Sequence, residues 1–257
     1  MIGNISLIVL KRDGKMKTLV TDTPIGTIAS FENDMFGRQV RQYGRYAEQD
    51  ILDKNLRSII EKSNVILDIG GHVGYHSIAY AKYNPSAQIR VFEPQKQIFE
   101  LLKYNIEINN LFNNILPYNL AMGDKVRITT LLNFITDGPN AGKDIEYGSD
   151  DEFNLGGVSI GFNGERVDMI TIDSLKLDKL DYIKIDVEGA ETLVIMGGEE
   201  TIRKFKPIIC FEHNHKTISP EFIKSLGYDS LPTPFEILQS FGYTKFTSIQ
   251  YENFIAE

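Results

Sequence analysis

The chain has 257 residues, of which 42% are apolar and 24% are charged, so it has enough apolar material for a substantial core. Its net charge of −8 and isoelectric point near 5.1 argue against a protein that binds phosphate backbones through a basic face. We therefore expect a single domain over residues 1–257 that does not bind nucleic acid.

The cysteine count and the apolar runs indicate the compartment. Cys210 is the only cysteine, so no internal disulfide can form. The longest early apolar run, Ile5 to Leu10, is too short for the core of a signal peptide. No run approaches the roughly 20 apolar residues of a membrane span. These features predict a cytoplasmic protein without a membrane span.

The first 45 residues predict an accessory element ahead of the core. The segment from Ile5 to Asp22 indicates two strands around Asp13-Gly14, because this dipeptide suits a tight hairpin turn. A loop rich in glycine and polar residues is expected to follow. After it, an amphipathic helix is predicted from apolar residues at helical spacing: Ile51, Leu52, Leu56, Ile59 and Ile60.

From residue 64 onwards, strand and helix signals alternate. Helices are predicted over Tyr75–Tyr83 and Gln95–Asn109. Apolar strands are predicted within "NVILDIG", "AQIRVFEP", "NILPYNLAMGD", "LDYIKIDVEGAE" and "KPIICFEHNH". Such alternation predicts an α/β fold, with a parallel sheet covered by helices on both faces.

The segment 123–180 interrupts this alternation. It contains clusters of Gly, Asn and Asp, followed by two β-like runs, so we expect a loop and antiparallel strands inserted into the α/β frame. The loop is either a flexible lid over a site or an ordinary surface loop, and the sequence leaves both interpretations open.

Residues 64–81 predict a ligand site at the end of the first core strand. Asp68 ends an apolar run, Gly70, Gly71 and Gly74 follow, and a helix begins near Gly74. In an open parallel sheet the ligand crevice lies at the carboxyl ends of the strands, where glycines let a ligand approach the backbone. The Gly-x-Gly-x-x-Gly spacing of a dinucleotide site is absent. The spacing resembles the first motif of S-adenosylmethionine-dependent methyltransferases, which implies that Asp68 lies near the cofactor's amino group or an ordered water.

An acid at the end of the second core strand supports an adenosine site. A carboxylate at the position of Glu93 can hold both ribose hydroxyls, whether the cofactor is NAD or S-adenosylmethionine. Pro94 ends this strand, and Ala121 in the third strand would offer its backbone to the adenine. Tyr75 is a further candidate cofactor contact, and Tyr46 is another, either as an aromatic wall with Tyr43 for a cationic sulfonium or as a packing residue.

Six motifs in the same order together resemble the FkbM-type methyltransferases, which methylate hydroxyl oxygens, often on sugars. They are "LDIGGHVGYHS", "VFEPQKQIFELLKYNIEIN", "NLAMGD", "GGVSI", "ITIDSL" and "DYIKIDVEGAE". The resemblance runs from about Tyr46 to Glu212. It implies a class I Rossmann-like methyltransferase core over residues 46–257, S-adenosylmethionine as methyl donor, and a sugar or glycoconjugate acceptor. His72 stands where the family usually has Asn, so the cofactor contact of that side chain differs here.

Acids follow the fourth and fifth core strands and are the candidate catalytic residues. Asp186 and Glu188 lie in "KIDVEGAE", and Glu212 lies in "CFEHNH". A hydroxyl needs a base to become a good nucleophile, and a positioned base contributes roughly 10² to 10⁴ in rate. Glu191 falls three residues after Glu188, so we expect it to be helical and turned away.

These carboxylates beside histidines also suit a divalent cation such as Mg²⁺ or Mn²⁺. Metal-dependent class I O-methyltransferases place acidic ligands at the same two strand ends, which makes Asp186, Glu212 and His213 the candidate ligands. In the metal-free alternative, the acids bind acceptor hydroxyls and one of them acts as the base. His76 is expected to be a packing or surface residue, His215 a loop residue, and Cys210 a small apolar core residue.

The sequence therefore predicts an S-adenosylmethionine-dependent O-methyltransferase acting on a sugar or glycoconjugate. One alternative is a ribose 2′-O-methyltransferase acting on RNA, which the acidic charge disfavours. Another is a non-catalytic S-adenosylmethionine-binding protein, which the acids at the strand ends disfavour. Whether the chain forms a homodimer is left open.

Overall fold

The computed structural model describes residues 5–7, 17–145, 151–213, 218–250 and 252–257. Its first part is a three-stranded antiparallel sheet followed by helical segments. The elements are β1 (Ile5–Leu7), β2 (Thr18–Thr23), β3 (Gly26–Phe31), α1 (Met35–Tyr43), α2 (Gln49–Ile51), a π-helical turn (Leu52–Leu56) and α3 (Arg57–Ile60).

The N-terminal region is more regular than predicted. The expected turn at Asp13-Gly14 lies outside the described residues. β3 and α1 occupy the segment that was predicted to be a loop, so that prediction is wrong there. Phe36 and Val40 lie four residues apart in α1 and are both buried, which gives this short helix its apolar face.

The remaining elements follow in alternation. They are β4 (Val65–Ile69), α4 (Tyr75–Tyr83), β5 (Gln88–Phe92), α5 (Lys96–Ile108), β6 (Ile115–Tyr118), β7 (Ala121–Met122), β8 (Arg127–Leu132), β9 (Asn163–Ile170), a 3-10 turn (Asp173–Leu175), β10 (Tyr182–Ile185), α6 (Glu191–Met196), α7 (Glu199–Phe205), β11 (Ile208–Glu212), α8 (Pro220–Ser225), α9 (Pro234–Ser240), β12 (Phe246–Ser248) and β13 (Asn253–Ala256).

Seven of these strands form the central sheet, in the order β12-β13-β11-β10-β4-β5-β6. The pairs among β11, β10, β4, β5 and β6 are parallel, and β13 runs antiparallel to both of its neighbours. The predicted α/β fold with a mostly parallel sheet is therefore confirmed. The predicted third strand is divided, because its second part, β7, leaves the central sheet and joins β8 and β9.

The two faces of the central sheet carry separate apolar clusters. Because successive strand residues point to opposite faces, Ile66 belongs to the cluster that contains α4 and α5, whereas Leu67 belongs to the cluster that contains α6 and α7. The N-terminal sheet shares the first cluster through Ile28 and Phe31. Among the described residues, no helix has the length and apolar character needed to cross a membrane.

The insertion consists of the sheet β7-β9-β8 and the segment 133–162 between its last two strands. β8 and β9 pair antiparallel, as predicted. The segment between them reaches the N-terminal region, where Phe153 forms a parallel bridge with Asp34. The insertion therefore contacts the segment that precedes α1.

Asn105 of α5 joins the N-terminal sheet to the core. Its side chain is fully buried, and its Oδ1 accepts from the Ala29 amide at 2.7 Å. Its Nδ2 donates to the carbonyl oxygens of Ala29 and Val73 at 2.9 and 2.8 Å. One side chain thus holds both β3 and the loop that follows β4.

We expect Asn105→Ala to lower the free energy of unfolding by about 3 kcal/mol, because three buried backbone groups lose their partner. Urea unfolding monitored by circular dichroism measures this change. Asn114→Ala is the matched control, since the Asn114 amide bonds to Pro85 and Ala87 at the exposed edge of the sheet. Equal losses of unfolding free energy in the two variants would contradict the proposed role of Asn105 in joining β3 to the core.

Candidate active site

A cavity of about 360 Å³ lies at the carboxyl ends of β4, β5, β10 and β11. From β4 the chain builds outward to β5 and β6, then returns to add β10 and β11 on the other side. This reversal of strand order between β4 and β10 is the place where open α/β sheets bind their ligands.

Glycines shape the loop between β4 and α4. Gly70 has φ +80°, and a Cβ on it would lie 1.7 Å from the carbonyl oxygen of Asp186. A Cβ on Gly71 would lie 2.1 Å from Val91 Cγ2. Both glycines line the cavity, whereas Gly74 lies outside its lining and begins α4 with φ +89°. Close backbone packing against β10 and β5 therefore requires Gly70 and Gly71 before any ligand is considered.

Asp68 supports the site from behind rather than lining the cavity. Its fully buried carboxylate accepts from Ser77 Oγ at 2.6 Å and lies 3.6 Å from Lys184 Nζ. Asp68 thus supports Lys184, and its predicted place near the cofactor's amino group or an ordered water stays a prediction. The parallel register of β4 and β10 places Asp68 beside Lys184, which explains the pairing.

Lys184 is a site residue that the sequence analysis missed. Its side chain is only 8% exposed, and its Nζ lies 3.0 Å from Asp186 Oδ2 and donates to the Gly70 carbonyl oxygen at 3.0 Å. Burial opposes its charge, but the carboxylates of Asp186 and Asp68 outweigh burial and raise the Lys184 pKa above its ordinary value. The ammonium therefore stays charged and fixes Asp186 and the glycine loop relative to each other.

Glu93 lines the cavity, as do Pro94 and Ala121. Its carboxylate accepts from the Gln95 amide at 2.9 Å and from the His72 amide at 3.0 Å. Burial raises the pKa of Glu93 to about 7, although both amides favour the charged form. The acid is thus held rigidly where the second parallel strand ends, and its contact with a ribose stays a prediction.

His72 also lines the cavity and adopts a left-handed conformation with φ +48°. Its Nε2 lies 3.8 Å from Asp34 Oδ2, and neither atom has a hydrogen-bond partner among the described residues. Asp34 Oδ1 accepts from the Leu155 amide at 3.3 Å. The fully buried Asp34 therefore lies where the N-terminal segment, the insertion and the glycine loop meet.

The buried Asp34 predicts a pH dependence of stability. Burial raises its pKa from 3.8 to about 7, so the folded state binds more protons than the unfolded state between these values. Its contribution to stability is therefore largest at acidic pH and is lost as the pH rises towards about 7. We expect Asp34→Asn to reduce the difference in unfolding free energy between pH 5 and pH 8 by about 1 to 3 kcal/mol.

Chemical denaturation at both pH values measures this difference. The exposed Asp229 supplies the control variant, Asp229→Asn, which should keep the wild-type pH dependence. The Asp34→Asn variant should still lose some stability between pH 5 and pH 8, because burial also raises the pKa values of Glu93 and Glu191 to about 7. A wild-type pH dependence in Asp34→Asn would contradict the prediction.

Three predicted catalytic acids lie together. One carboxylate oxygen from each of Asp186, Glu188 and Glu212 lies within 4.8 Å of the others, and all three residues line the cavity. Glu188 has φ +57°, a strained conformation for a residue with a side chain. Glu191 is separate from this acid group, since its Oε1 accepts from the amides of Val187 and Gly189.

His213 is not part of the acid group, so the predicted ligand set of Asp186, Glu212 and His213 is corrected. The His213 ring lies 5.1 Å from the Phe235 ring and 6.5 Å from the Phe254 ring. Successive residues of a strand point to opposite sides, so Glu212 faces the cavity and His213 does not. Glu188 replaces His213 as the third candidate ligand, which gives a group made only of carboxylates, the ligands that hard cations prefer.

Aromatic residues and a histidine form the wall next to α2. Tyr46 and Tyr75 line the cavity, and their contact with the cofactor stays a prediction, whereas Tyr43 is 67% exposed and belongs to no such wall. His76, expected to be a packing or surface residue, also lines the cavity, with its Nε2 3.1 Å from Glu48 Oε2. The sequence analysis missed Glu48 as well.

The insertion covers part of the cavity. Besides Ala121 and Met122 of β7, it contributes Leu131, Asp137, Asn154, Gly156, Val158 and Ile160 to the cavity wall. Asn154 Nδ2 donates to Asp137 Oδ1 at 2.6 Å, which holds two parts of the segment together. This position favours the lid interpretation over that of an ordinary surface loop, while opening and closing stay predictions. Of the remaining candidates, Cys210 is buried in β11, and His215 lies outside the described residues.

Comparison with known proteins gives a family match over most of the chain. A family model described as the methyltransferase FkbM domain matches residues 68–243. The AMB antimetabolite synthetase AmbE of Pseudomonas aeruginosa is 24% identical over an alignment that covers 62% of this chain and 9% of that protein. The chain thus corresponds to a small part of the synthetase.

Solved structures of methyltransferases are also similar. An FkbM methyltransferase from Methylobacillus flagellatus is 16% identical, with a TM-score of 0.48, 76% of this chain covered and 43% of that chain covered. An O-methyltransferase from Bacillus cereus, solved in complex with S-adenosylhomocysteine (SAH), is 13% identical, with a TM-score of 0.46. The match covers 86% of this chain and 84% of that chain. Both TM-scores are low, so the match over residues 68–243 is the stronger observation.

Proposed function

The chain belongs to the FkbM methyltransferase family, and we propose that it transfers a methyl group from S-adenosylmethionine to a hydroxyl of a sugar or glycoconjugate. The observation that carries this proposal is a shared cavity. The acid group of Asp186, Glu188 and Glu212 lines the same cavity as Glu93 and the glycine loop. A donor held by the loop and Glu93 would therefore lie beside carboxylates that can activate an acceptor.

We propose that the adenosine of the cofactor binds at the end of the cavity that Glu93 lines. Glu93 would accept from the two ribose hydroxyls, because its position is fixed by the amides of His72 and Gln95. Pro94 and Ala121 would lie against the adenine, and Tyr46 would face the cationic sulfonium. These contacts are supported by the location of each residue on the cavity wall.

The transfer is an in-line displacement at the methyl carbon. The acceptor oxygen forms a bond to the methyl group while the bond from sulfur to the methyl group breaks, which leaves neutral S-adenosylhomocysteine, SAH. The acceptor proton passes to a carboxylate of the acid group. Alignment of the reacting atoms within about 3 to 3.5 Å supplies much of the rate enhancement. Lys184 would hold Asp186 in place within this acid group.

The same acids would alternatively hold a divalent cation. Three carboxylates that each place one oxygen within 4.8 Å of the others fit Mg²⁺ or Mn²⁺, because these ions prefer oxygen ligands. Such an ion would lower the pKa of the acceptor hydroxyl and would offset repulsion among the acids. In either case the three acids would orient the acceptor oxygen. They would either accept its proton directly or hold the ion that stabilises its negative charge.

Mass spectrometry of glycans made with and without the protein tests the proposed acceptor. We expect a mass increase of one methylene unit on a glycan or sugar metabolite only when the protein is present. A catalytically weakened variant, Glu188→Gln, is the control for effects of expression. Methylated ribose in RNA without any methylated sugar would support the RNA alternative, and no methylated product would support a non-catalytic role.

A further inference from the structure

Five residues beside the cavity form a closed ring of polar contacts: Asp34, His72, Glu93, Gln95 and Leu155. The Glu93 carboxylate accepts from the amides of His72 and Gln95 at 3.0 and 2.9 Å. Gln95 Nε2 donates to the Leu155 carbonyl oxygen at 2.9 Å, and the Leu155 amide donates to Asp34 Oδ1 at 3.3 Å. Asp34 Oδ2 lies 3.8 Å from His72 Nε2, which completes the ring.

The ring joins the end of the cavity proposed for the donor to the insertion. Glu93 is the acid proposed to hold the ribose, and Leu155 belongs to the insertion. Two residues after Leu155, the Gly157 carbonyl oxygen accepts from the Thr136 amide at 2.7 Å. Thr136 Oγ1 lies 3.4 Å from Glu188 Oε2 in the acid group. A change at Glu93 can therefore reach the wall that borders the acid group.

The joints at Asp34 are the longest of the ring. Asp34 Oδ2 and His72 Nε2 are both buried, and neither has a hydrogen-bond partner in the part of the chain that the structure describes. A shift of about 1 Å would bring the two atoms to hydrogen-bond distance. Burial raises the pKa of Asp34 to about 7 and lowers that of His72 to about 4, so a protonated Asp34 can donate to the neutral ring.

A bound donor would tighten the ring through Glu93. Burial raises the pKa of Glu93 to about 7, so part of the population is protonated at neutral pH. Two ribose hydroxyls would donate to the carboxylate and favour its charged form. The charged form also strengthens the hydrogen bonds from the amides of His72 and Gln95. Both neighbours of Glu93 in the ring are thus held more firmly when the donor is bound.

We infer that Asp34 and Gln95 are positioning residues that couple occupancy of the donor site to the position of the insertion. With the donor bound, the ring holds the insertion over the acceptor side of the cavity. The donor therefore binds before the acceptor. By reciprocity, a variant that breaks the ring also weakens binding of the donor. This inference rests on the proposed function, because it needs the cofactor at Glu93.

Hydrogen exchange measured by mass spectrometry tests the coupling on the full chain. Calorimetry first establishes SAH binding, and exchange is then compared between the free and the SAH-saturated protein. We expect SAH to slow exchange of the amides in residues 151–158 by about tenfold. Helix α7 lies away from the cavity lining and should exchange equally in both states.

Variants at two joints assign the protection to the ring. At saturating SAH, Asp34→Ala should reduce the protection of residues 151–158 by about threefold or more. Asp34→Asn should retain it, because an amide can accept from Leu155 and donate to His72. Gln95→Met removes the donor to Leu155 and should lose protection like Asp34→Ala, which tests the ring even where Asp34→Ala does not fold. Asp229→Asn changes an exposed acid and should behave as wild type.

The outcomes separate this inference from the proposed function. SAH binding without protection of residues 151–158 in the wild type would overturn the inference and leave the proposed function standing. Wild-type protection in folded Gln95→Met or Asp34→Ala would do the same, as would an equal loss of protection in Asp34→Asn and Asp34→Ala. A failure of the wild type to bind SAH would instead overturn the proposed function itself.

Discussion

Replacing Lys184 by methionine is expected to lower the free energy of unfolding by about 3 to 5 kcal/mol. The reason is that the negative charges of Asp68 and Asp186 would remain after the lysine is removed. Without the ammonium, the carboxylates of the fully buried Asp68 and the partly buried Asp186 would lose the cation that they share. The Gly70 carbonyl oxygen would also lose its donor, so the glycine loop should loosen.

Urea unfolding at neutral pH measures the loss, and two further variants make the result specific. Lys179→Met removes a lysine that is 53% exposed and paired with Asp181, and it should cost less than about 1 kcal/mol. Combining Lys184→Met with Asp68→Asn should recover part of the loss, because the second change removes the stranded charge. A cost for Lys184→Met as small as that for Lys179→Met would contradict the proposed role of this lysine.

Replacing Glu188 by glutamine or Asp186 by asparagine is expected to lower kcat by about 100-fold, with little change in KM for S-adenosylmethionine. Both carboxylates would act on the acceptor oxygen as its charge develops, so their loss should be felt mainly in the transition state. Release of SAH in the presence of an acceptor identified by mass spectrometry measures the rate. Asp229→Asn, which lies away from the cavity lining, is the control.

Chelation separates the two versions of the mechanism. If a cation joins Asp186, Glu188 and Glu212, a chelator should stop turnover, leave SAH binding intact, and be reversed by Mg²⁺ or Mn²⁺. If one acid acts directly as the base, the chelator should have no effect. Full activity of both amide variants, with and without chelator, would exclude the acid group from the chemistry in either version.

The central elements could be predicted because their signals are local. The helix predicted over Tyr75–Tyr83 is observed with the same bounds, and the strands ending at Ile69 and Phe92 follow from apolar runs that lie next to the acids Asp68 and Glu93. The acids at the strand ends could also be placed, because the carboxyl ends of parallel strands meet at one edge of the sheet.

The segment containing β3 and α1 could not be predicted, because its packing depends on small residues. A Cβ on Gly37 of α1 would lie 2.5 Å from Ser30 Oγ of β3, so the close approach of helix and strand needs the glycine. Glycine within a helix and serine within a strand weaken both local signals. Tertiary packing therefore decides the structure of this segment.

The supporting residues of the site were missed for a different reason. Lys184 pairs with Asp68, which lies far away in the sequence, and only the register of β10 against β4 brings them together. The position of His213, in contrast, could have been predicted, because adjacent residues of a strand point to opposite sides. His76 and Glu48 come together only when α2 and α4 pack beside the cavity.

The most direct test of the account is a calorimetric titration of the protein with SAH, S-adenosylmethionine, NAD and NADP. We expect both methionine-derived ligands to bind and both dinucleotides to fail, because the glycine spacing lacks the pyrophosphate fingerprint. Glu93→Ala should weaken binding by about 1 to 3 kcal/mol, through the loss of charge-assisted hydrogen bonds to the ribose. Binding of NAD, or unchanged SAH affinity in a folded Glu93→Ala variant, would contradict the central claim that this cavity holds S-adenosylmethionine.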